Sequence, residues 1–149
     1  MIRVLCFGTF DGLHAGHDAF LRQVAEAGDE VWVVLARDTT VVHVKGQLPA
    51  INEVDRLRAV AAHPSVTEAR LGHLDDKYAI IEEIRPKIIV LGYDQQAFTT
   101  GLEAELARRG HAIEIRRARP YQADFYKTSK LRPRPFPTEI SPKEDGLPL

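Results

Sequence analysis

The chain has 149 residues, enough for one domain with a real core, and its 44% apolar and 28% charged residues mark a globular protein rather than a disordered one. A formal charge of −1 gives no broad attraction for nucleic acid or an anionic membrane, so any anion must be caught by a local site. No apolar run approaches the ~20 residues needed to cross a bilayer, and no cleavable signal is visible at the N-terminus. The lone Cys6 has no disulfide partner and reads as core filling, so the expected setting is the cytoplasm.

The first element is the apolar run IRVLCF at 2–7, a strand. A helix is expected over 14–28, where Phe20, Leu21, Val24 and Ala25 share a face and Gly28 is placed to end it. VWVVLA at 31–36 is a second strand, followed by a loop that carries Lys45 and Gly46. Asn52 can cap a helix over 53–63 with a stripe of Val54, Leu57, Val60 and Ala61. SVTEARL at 65–71 alternates as a short strand. A helix over 77–85 groups Tyr78, Ile81 and Ile84 and is stopped by Pro86.

IIVLG at 88–92 is a fourth strand, GLEAELARRG at 101–110 a helix with Leu102 and Leu106, and AIEIR at 112–116 a weaker fifth strand. The second and fourth runs are nearly continuous in aliphatic residues, as in parallel strands covered on both faces. Regular alternation of strand and helix predicts an α/β fold: a Rossmann-like open parallel five-stranded sheet with helices on both faces. Residues 1–131 are read as the domain and 132–149, with five prolines in 18 residues, as a proline-rich C-terminal tail.

GTFDGLHAGH, residues 8–17, joins the first strand to the first helix, where open α/β sheets bind ligands. Gly8 and Gly12 permit close turns, and Gly16 lets a flat group lie against the first helical turn. His14 and His17, three apart, fall on one side, and the helix dipole there favours an anion. Phosphate handling, a capped turn with surface histidines, and a metal site with Asp11 as third ligand are all compatible with the residues alone. The pattern is neither GxxxxGK[ST] nor GxGxxG.

The same stretch resembles the signature of the H-x-G-H nucleotidyltransferase superfamily, in its cytidylyltransferase-like branch. ARDTTVVHVKG after the second strand, GYDQ after the fourth and YKTSK near the end are similar to archaeal-type FAD synthetases, also called FMN adenylyltransferases. The resemblance implies transfer of AMP from ATP to FMN, giving FAD and pyrophosphate. A CTP-dependent transferase acting on glycerol 3-phosphate and a non-catalytic nucleotide-binding module are the alternatives.

By that resemblance, His14, His17 and Lys45 stabilise charge on the triphosphate. Gly8, Thr9, Phe10, Gly16, Asp94, Thr128 and Ser129 bind nucleotide, while Asp11 and Arg56 meet the acceptor. Lys127, Lys130 and Arg119 are further candidates for phosphate contact, and Tyr93, Tyr121, Phe125 and Tyr126 for stacking on flavin. Mg²⁺ is implied as a passenger on the triphosphate, without a dedicated metal site in the protein. The implied partners are a small-molecule nucleotide, a phosphorylated acceptor and a second copy in a homodimer. The helix that usually follows the hydroxyl segment is broken here by Pro133, Pro135 and Pro137.

Overall fold

Alternation along the strands decides which helix packs on which face of the sheet. In the computed structural model, residues 1–76, 78–93, 95 and 101–120 are described. They form five parallel strands: β1 (Arg3–Gly8), β2 (Glu30–Leu35), β3 (Glu68–Leu71), β4 (Ile88–Leu91) and β5 (Glu114–Arg117). Five helices complete the set: α1 (Ala15–Glu26), α2 (Asp38–Lys45), α3 (Glu53–Ala61), α4 (Ala79–Ile84) and α5 (Leu102–Arg108). The spatial order is β3-β2-β1-β4-β5, so the chain winds outward from β1 twice, once in each direction. The expected open five-stranded sheet is therefore present.

Val4 and Cys6 on β1, Val31 and Val33 on β2 and Val90 on β4 face α1 and α3, where Phe20, Leu21, Val24 and Val60 cover them. Leu5, Phe7, Trp32, Val34, Ile89 and Leu91 point the other way and meet Ile80, Ile81 and Ile84 of α4 and Leu102 and Leu106 of α5. Helices thus cover both faces. Each fully buried aliphatic side chain of this kind contributes roughly 1.5–3 kcal/mol. Trp32 lies between two guanidinium groups, Arg3 at 4.4 Å and Arg70 at 4.9 Å from its ring centroid.

Several local expectations are corrected. The segment after β2 is not a loop but α2, and Lys45 occupies its last turn, with Gly46 as a left-handed cap. Asp-Thr-Thr-Val-Val-His-Val-Lys is rich in β-branched residues and buries only Val41, so it lacks the periodic apolar stripe of a helix. Gly28 does not end α1, whose cap is Ala27. Gly28 instead permits close packing on β1, since a Cβ there would lie 2.6 Å from Val4 Cγ2.

On α3 the inward face carries Arg56 and Val60, and Val54 is left exposed. The guanidinium takes the place an aliphatic stripe would have filled. His63, just after α3, is largely buried: its side chain is 9% exposed and its Nε2 lies 2.8 Å from Asp18 Oδ1. The proline-rich tail lies outside the described residues.

Candidate functional site

The GTFDGLHAGH turn leaves β1 beside β4, where the two directions of winding diverge. This is the topological switch point of the sheet, the place such folds reserve for ligands. Phe10 adopts a φ of +54° and folds inward, 1% exposed. Its ring passes so close to Gly8 that a Cβ on Gly8 would lie 2.6 Å from it. The turn is therefore anchored from below by an aromatic side chain.

His14 is the N-cap of α1. Its Nδ1 accepts the backbone N–H groups of Gly16 at 3.1 Å and His17 at 3.4 Å. A neutral imidazole with Nδ1 so engaged carries its proton on Nε2 and can donate from there. Two amides at the positive end of the helix thus act on the ring, and the ring presents the outer N–H. The helix dipole is passed outward through a side chain instead of being met by bare backbone.

His17 stacks on His14 with centroids 3.8 Å apart and an interplanar angle of 22°. Phe10 covers it at a centroid distance of 5.2 Å. The residue is 2% exposed. Burial first, then the adjacent His14, lowers its pKa from 6.5 to about 3, so the ring is neutral at ordinary pH. Its Nδ1 lies 3.1 Å from the Gly12 carbonyl oxygen and 3.3 Å from the His14 amide nitrogen. The first contact needs Nδ1–H and the second a lone pair, so a neutral ring satisfies one at a time, and only the second leaves a proton on Nε2.

Arg56 is the buried centre of the surrounding frame, its side chain 0% exposed. Its Nη1 donates to the carbonyls of Thr9 at 2.8 Å and Ala36 at 2.9 Å. Nε donates to the Ile51 carbonyl at 2.9 Å, and Nη2 to Asp38 Oδ1 at 2.7 Å. One guanidinium therefore joins the motif, the end of β2, the start of α2 and the segment before α3. Asp11 adds a second tie, accepting the amides of Ala50 and Ile51 at 2.8 Å each.

Of the residues expected at the site, Gly8, Thr9, Phe10, Asp11, Gly16, His14 and His17 are brought together by one turn. Lys45 is exposed at the end of α2. Asp94, Thr128 and Ser129 lie outside the described residues, as do Tyr121, Phe125, Tyr126, Lys127 and Lys130. Arg119 pairs with Glu26 at 3.4 Å and its amide donates to Gln23, so it lies against α1. Asp38 and Glu53 were not anticipated as parts of the frame. Each reads locally as an ordinary first-turn acid, and nothing in either segment signals the other.

Among the described residues no group of three or more His, Cys, Asp or Glu side chains converges on a metal position. The Asp11 carboxylate already receives two amides, and the local donor set of imidazole and cationic groups suits an anion. No helix among the described residues is long and apolar enough to cross a membrane.

A family model described as cytidylyltransferase-like matches residues 5–134. An FAD synthase of Aciduliprofundum boonei is 43% identical over 132 residues, covering 88% of each chain. An FAD synthase of Haloferax volcanii is 45% identical over 120 residues, covering 80% of this chain and 83% of its own. Among solved structures, a lipopolysaccharide core biosynthesis protein from Thermoplasma volcanium superposes with a TM-score of 0.76 at 38% identity, covering 81% of this chain and 98% of that one.

Proposed function

The chain belongs to the cytidylyltransferase-like family, and from that premise we propose that it transfers AMP from ATP to FMN, giving FAD and pyrophosphate. The observation that carries the reading is the stacked histidine pair at the N-terminus of α1, set at the switch point of the sheet. The relatives named FAD synthase, similar over most of both chains, favour ATP and FMN as the two substrates.

A phosphate oxygen of FMN attacks the α-phosphorus of ATP. The new phosphorus–oxygen bond forms as the bond to the β-phosphate oxygen breaks, and the electron pair leaves with pyrophosphate. The attacking oxygen is already ionised near neutral pH, so the protein supplies alignment and charge stabilisation rather than a base. His14 donates from Nε2 to the triphosphate, and His17 donates in the tautomer whose Nδ1 accepts from the His14 amide. Lys45, at the open end of α2, adds a cation to the phosphates.

Gly16 leaves room for nucleotide on the first turn of α1. Gly8, Thr9 and Phe10 set the backbone path beneath it, and Asp94, Thr128 and Ser129 are proposed nucleotide contacts by resemblance alone. Asp11 and Arg56 serve the acceptor side indirectly, by holding the segments around it. Mg²⁺ enters with the triphosphate, whose oxygens and water are its ligands. The cytoplasm is the proposed setting, and a homodimer the proposed assembly.

The test crosses ATP or CTP with FMN or glycerol 3-phosphate and measures pyrophosphate release. Release with ATP and FMN, with FAD as the second product, is the expected result. Release only with CTP and glycerol 3-phosphate, or nucleotide binding without release in any pair, overturns the assignment.

A further inference from the structure

At the carboxyl edge of a parallel sheet the strands end in carbonyls, and the ladder has no further amide to offer them. The last backbone rungs here run from the Ala36 amide to Gly8, from the Gly72 amide to Leu35 and from the Ala118 amide to Leu91, at 2.9, 2.9 and 2.7 Å. The next carbonyl belongs in each case to the residue just past the strand: Thr9 after β1, Ala36 after β2, Gly72 after β3 and Gly92 after β4. All four accept from an arginine. Arg56 Nη1 serves Thr9 and Ala36, Arg37 Nε donates to Gly72 at 2.7 Å, and Arg117 Nη1 donates to Gly92 at 2.7 Å. A guanidinium stands where the next rung would have been.

Arg117, the last residue of β5, does more than fill one rung. The same Nη1 donates to the Gln95 carbonyl at 2.7 Å. The Gln95 amide donates to the Gly92 carbonyl at 3.1 Å, and the Gly92 amide donates to Gln95 Oε1 at 3.0 Å. The turn after β4 is thus held from β5 at both ends. Val4 pairs with Ile88 and Leu5 with Ile89, and that register, continued, brings Gly92 level with Gly8, where β1 enters the histidine turn. Arg56 and Arg37 are balanced by acids, Asp38 at 2.7 Å and Glu53 at 3.5 Å. Among the described residues Arg117 has no carboxylate partner, so its charge is the unbalanced one of the three.

Bare strand-end carbonyls would turn the negative ends of four dipoles toward any anion on the rim. Donation from a guanidinium cancels that repulsion and fixes the backbone that carries it. We infer that Arg37, Arg56 and Arg117 form a collar that fits the carboxyl rim for a polyphosphate, each acting through a strand-end carbonyl and not by touching phosphate. They are positioning residues. The inference deepens the proposed transfer of AMP and rests on it for the identity of the anion.

Arg56 stays in place in the test, because the fold depends on it. Arg37→Met and Arg117→Met each remove one guanidinium, and circular dichroism checks that both fold. Pyrophosphate with Mg²⁺ is the probe, titrated by calorimetry, and amide hydrogen exchange reports on the rim. Arg117→Met is expected to raise the pyrophosphate Kd about tenfold and Arg37→Met, whose charge is already balanced, about threefold. Exchange is expected to quicken at Gly92 and Gln95 in the first and at Gly72 and His73 in the second, with β1 and α1 as protected as in the parent. Arg117→Lys keeps a charge and several N–H donors, and is expected to recover most of the affinity and the protection.

Unchanged pyrophosphate affinity in either Met variant, or no pyrophosphate binding by the parent, overturns the collar. Weaker affinity with unchanged exchange also overturns it, since the arginines would then meet the phosphate directly. So does an Arg117→Lys variant that regains protection without affinity. A parent that binds pyrophosphate and responds to both variants as expected, yet forms no FAD from ATP and FMN, overturns the transfer reaction and leaves the collar.

Discussion

Asp38 and Glu53 cap each other's helices. The Asp38 amide donates to Glu53 Oε1 at 2.8 Å, and the Glu53 amide donates to Asp38 Oδ2 at 3.2 Å, across 15 residues of sequence. This exchange satisfies a first-turn donor on both α2 and α3, two short helices with little apolar surface between them. It also fixes Asp38 Oδ1 as the partner of Arg56.

Removing the Arg56 guanidinium leaves a carboxylate and three carbonyls without that donor. Arg56→Met is expected to destabilise the fold by about 3 kcal/mol, since breaking a buried pair strands the remaining partner. Urea denaturation checks this; a loss below about 1 kcal/mol would show that water replaces the guanidinium.

Asp11 acts on the 46–52 segment at long range through the amides of Ala50 and Ile51. Asp11→Ala is expected to free that segment while β1 and α1 persist. Limited proteolysis should then cut between Gly46 and Ile51 faster than in the parent, with a fall in kcat as Lys45 loses its fixed position. Equal cutting rates would sever the link between Asp11 and Lys45.

The two tasks of His14 can be separated. Asparagine is a good N-cap but has no Nε2–H at the ring's outer edge. His14→Asn should therefore keep the melting temperature and lower kcat about 10²-fold, the scale of losing one donor to a developing charge. His14→Ala should lose both, with about 1 kcal/mol of stability gone. Near-parental turnover in His14→Asn would reduce the residue to a cap.

His17 makes stability depend on pH. Its folded pKa of about 3 is below the ordinary 6.5, so between those values the unfolded chain binds a proton that the folded chain excludes. Stability is full above pH 6.5 and is lost as pH falls toward 3, at up to about 1.4 kcal/mol per pH unit for one proton. Urea midpoints between pH 7 and pH 5 test the sign, and His17→Gln should flatten the profile there. A parental profile retained by that variant would assign the slope to other groups.

Cys6 is fully buried on β1, and burial pushes its thiol well above the usual range. Native protein should resist iodoacetamide at pH 8 and become reactive only with unfolding, so that alkylation follows denaturant concentration. Rapid labelling of the native state would reveal an opening of the central strand.

The sheet was legible because its strands carry their own pattern: β2 and β4 are almost continuous apolar runs, and α1, α4 and α5 bring apolar positions at helical spacing. Asn52 capping α3 was equally local, and its Oδ1 does accept the Asp55 amide at 2.9 Å. α2 was not legible. Its β-branched residues oppose helix formation, and its first turn is held by Glu53 from outside the segment. The histidine pair could be read as an anion site, but Arg56 could not be read as its buried support. An arginine in an amphipathic helix looks solvated until the carbonyls of Thr9, Ala36 and Ile51 converge on it, and that convergence exists only after folding.

Trp32 sits on β2 between Arg3 and Arg70 and is the sole indole of the chain. It lies two residues before Val34, on the same face of the strand. Indole emission overlaps the near-ultraviolet absorption of flavins. The molecule therefore contains a donor fluorophore in its central sheet, and excitation energy transfer from Trp32 can follow flavin arrival in real time without any attached label.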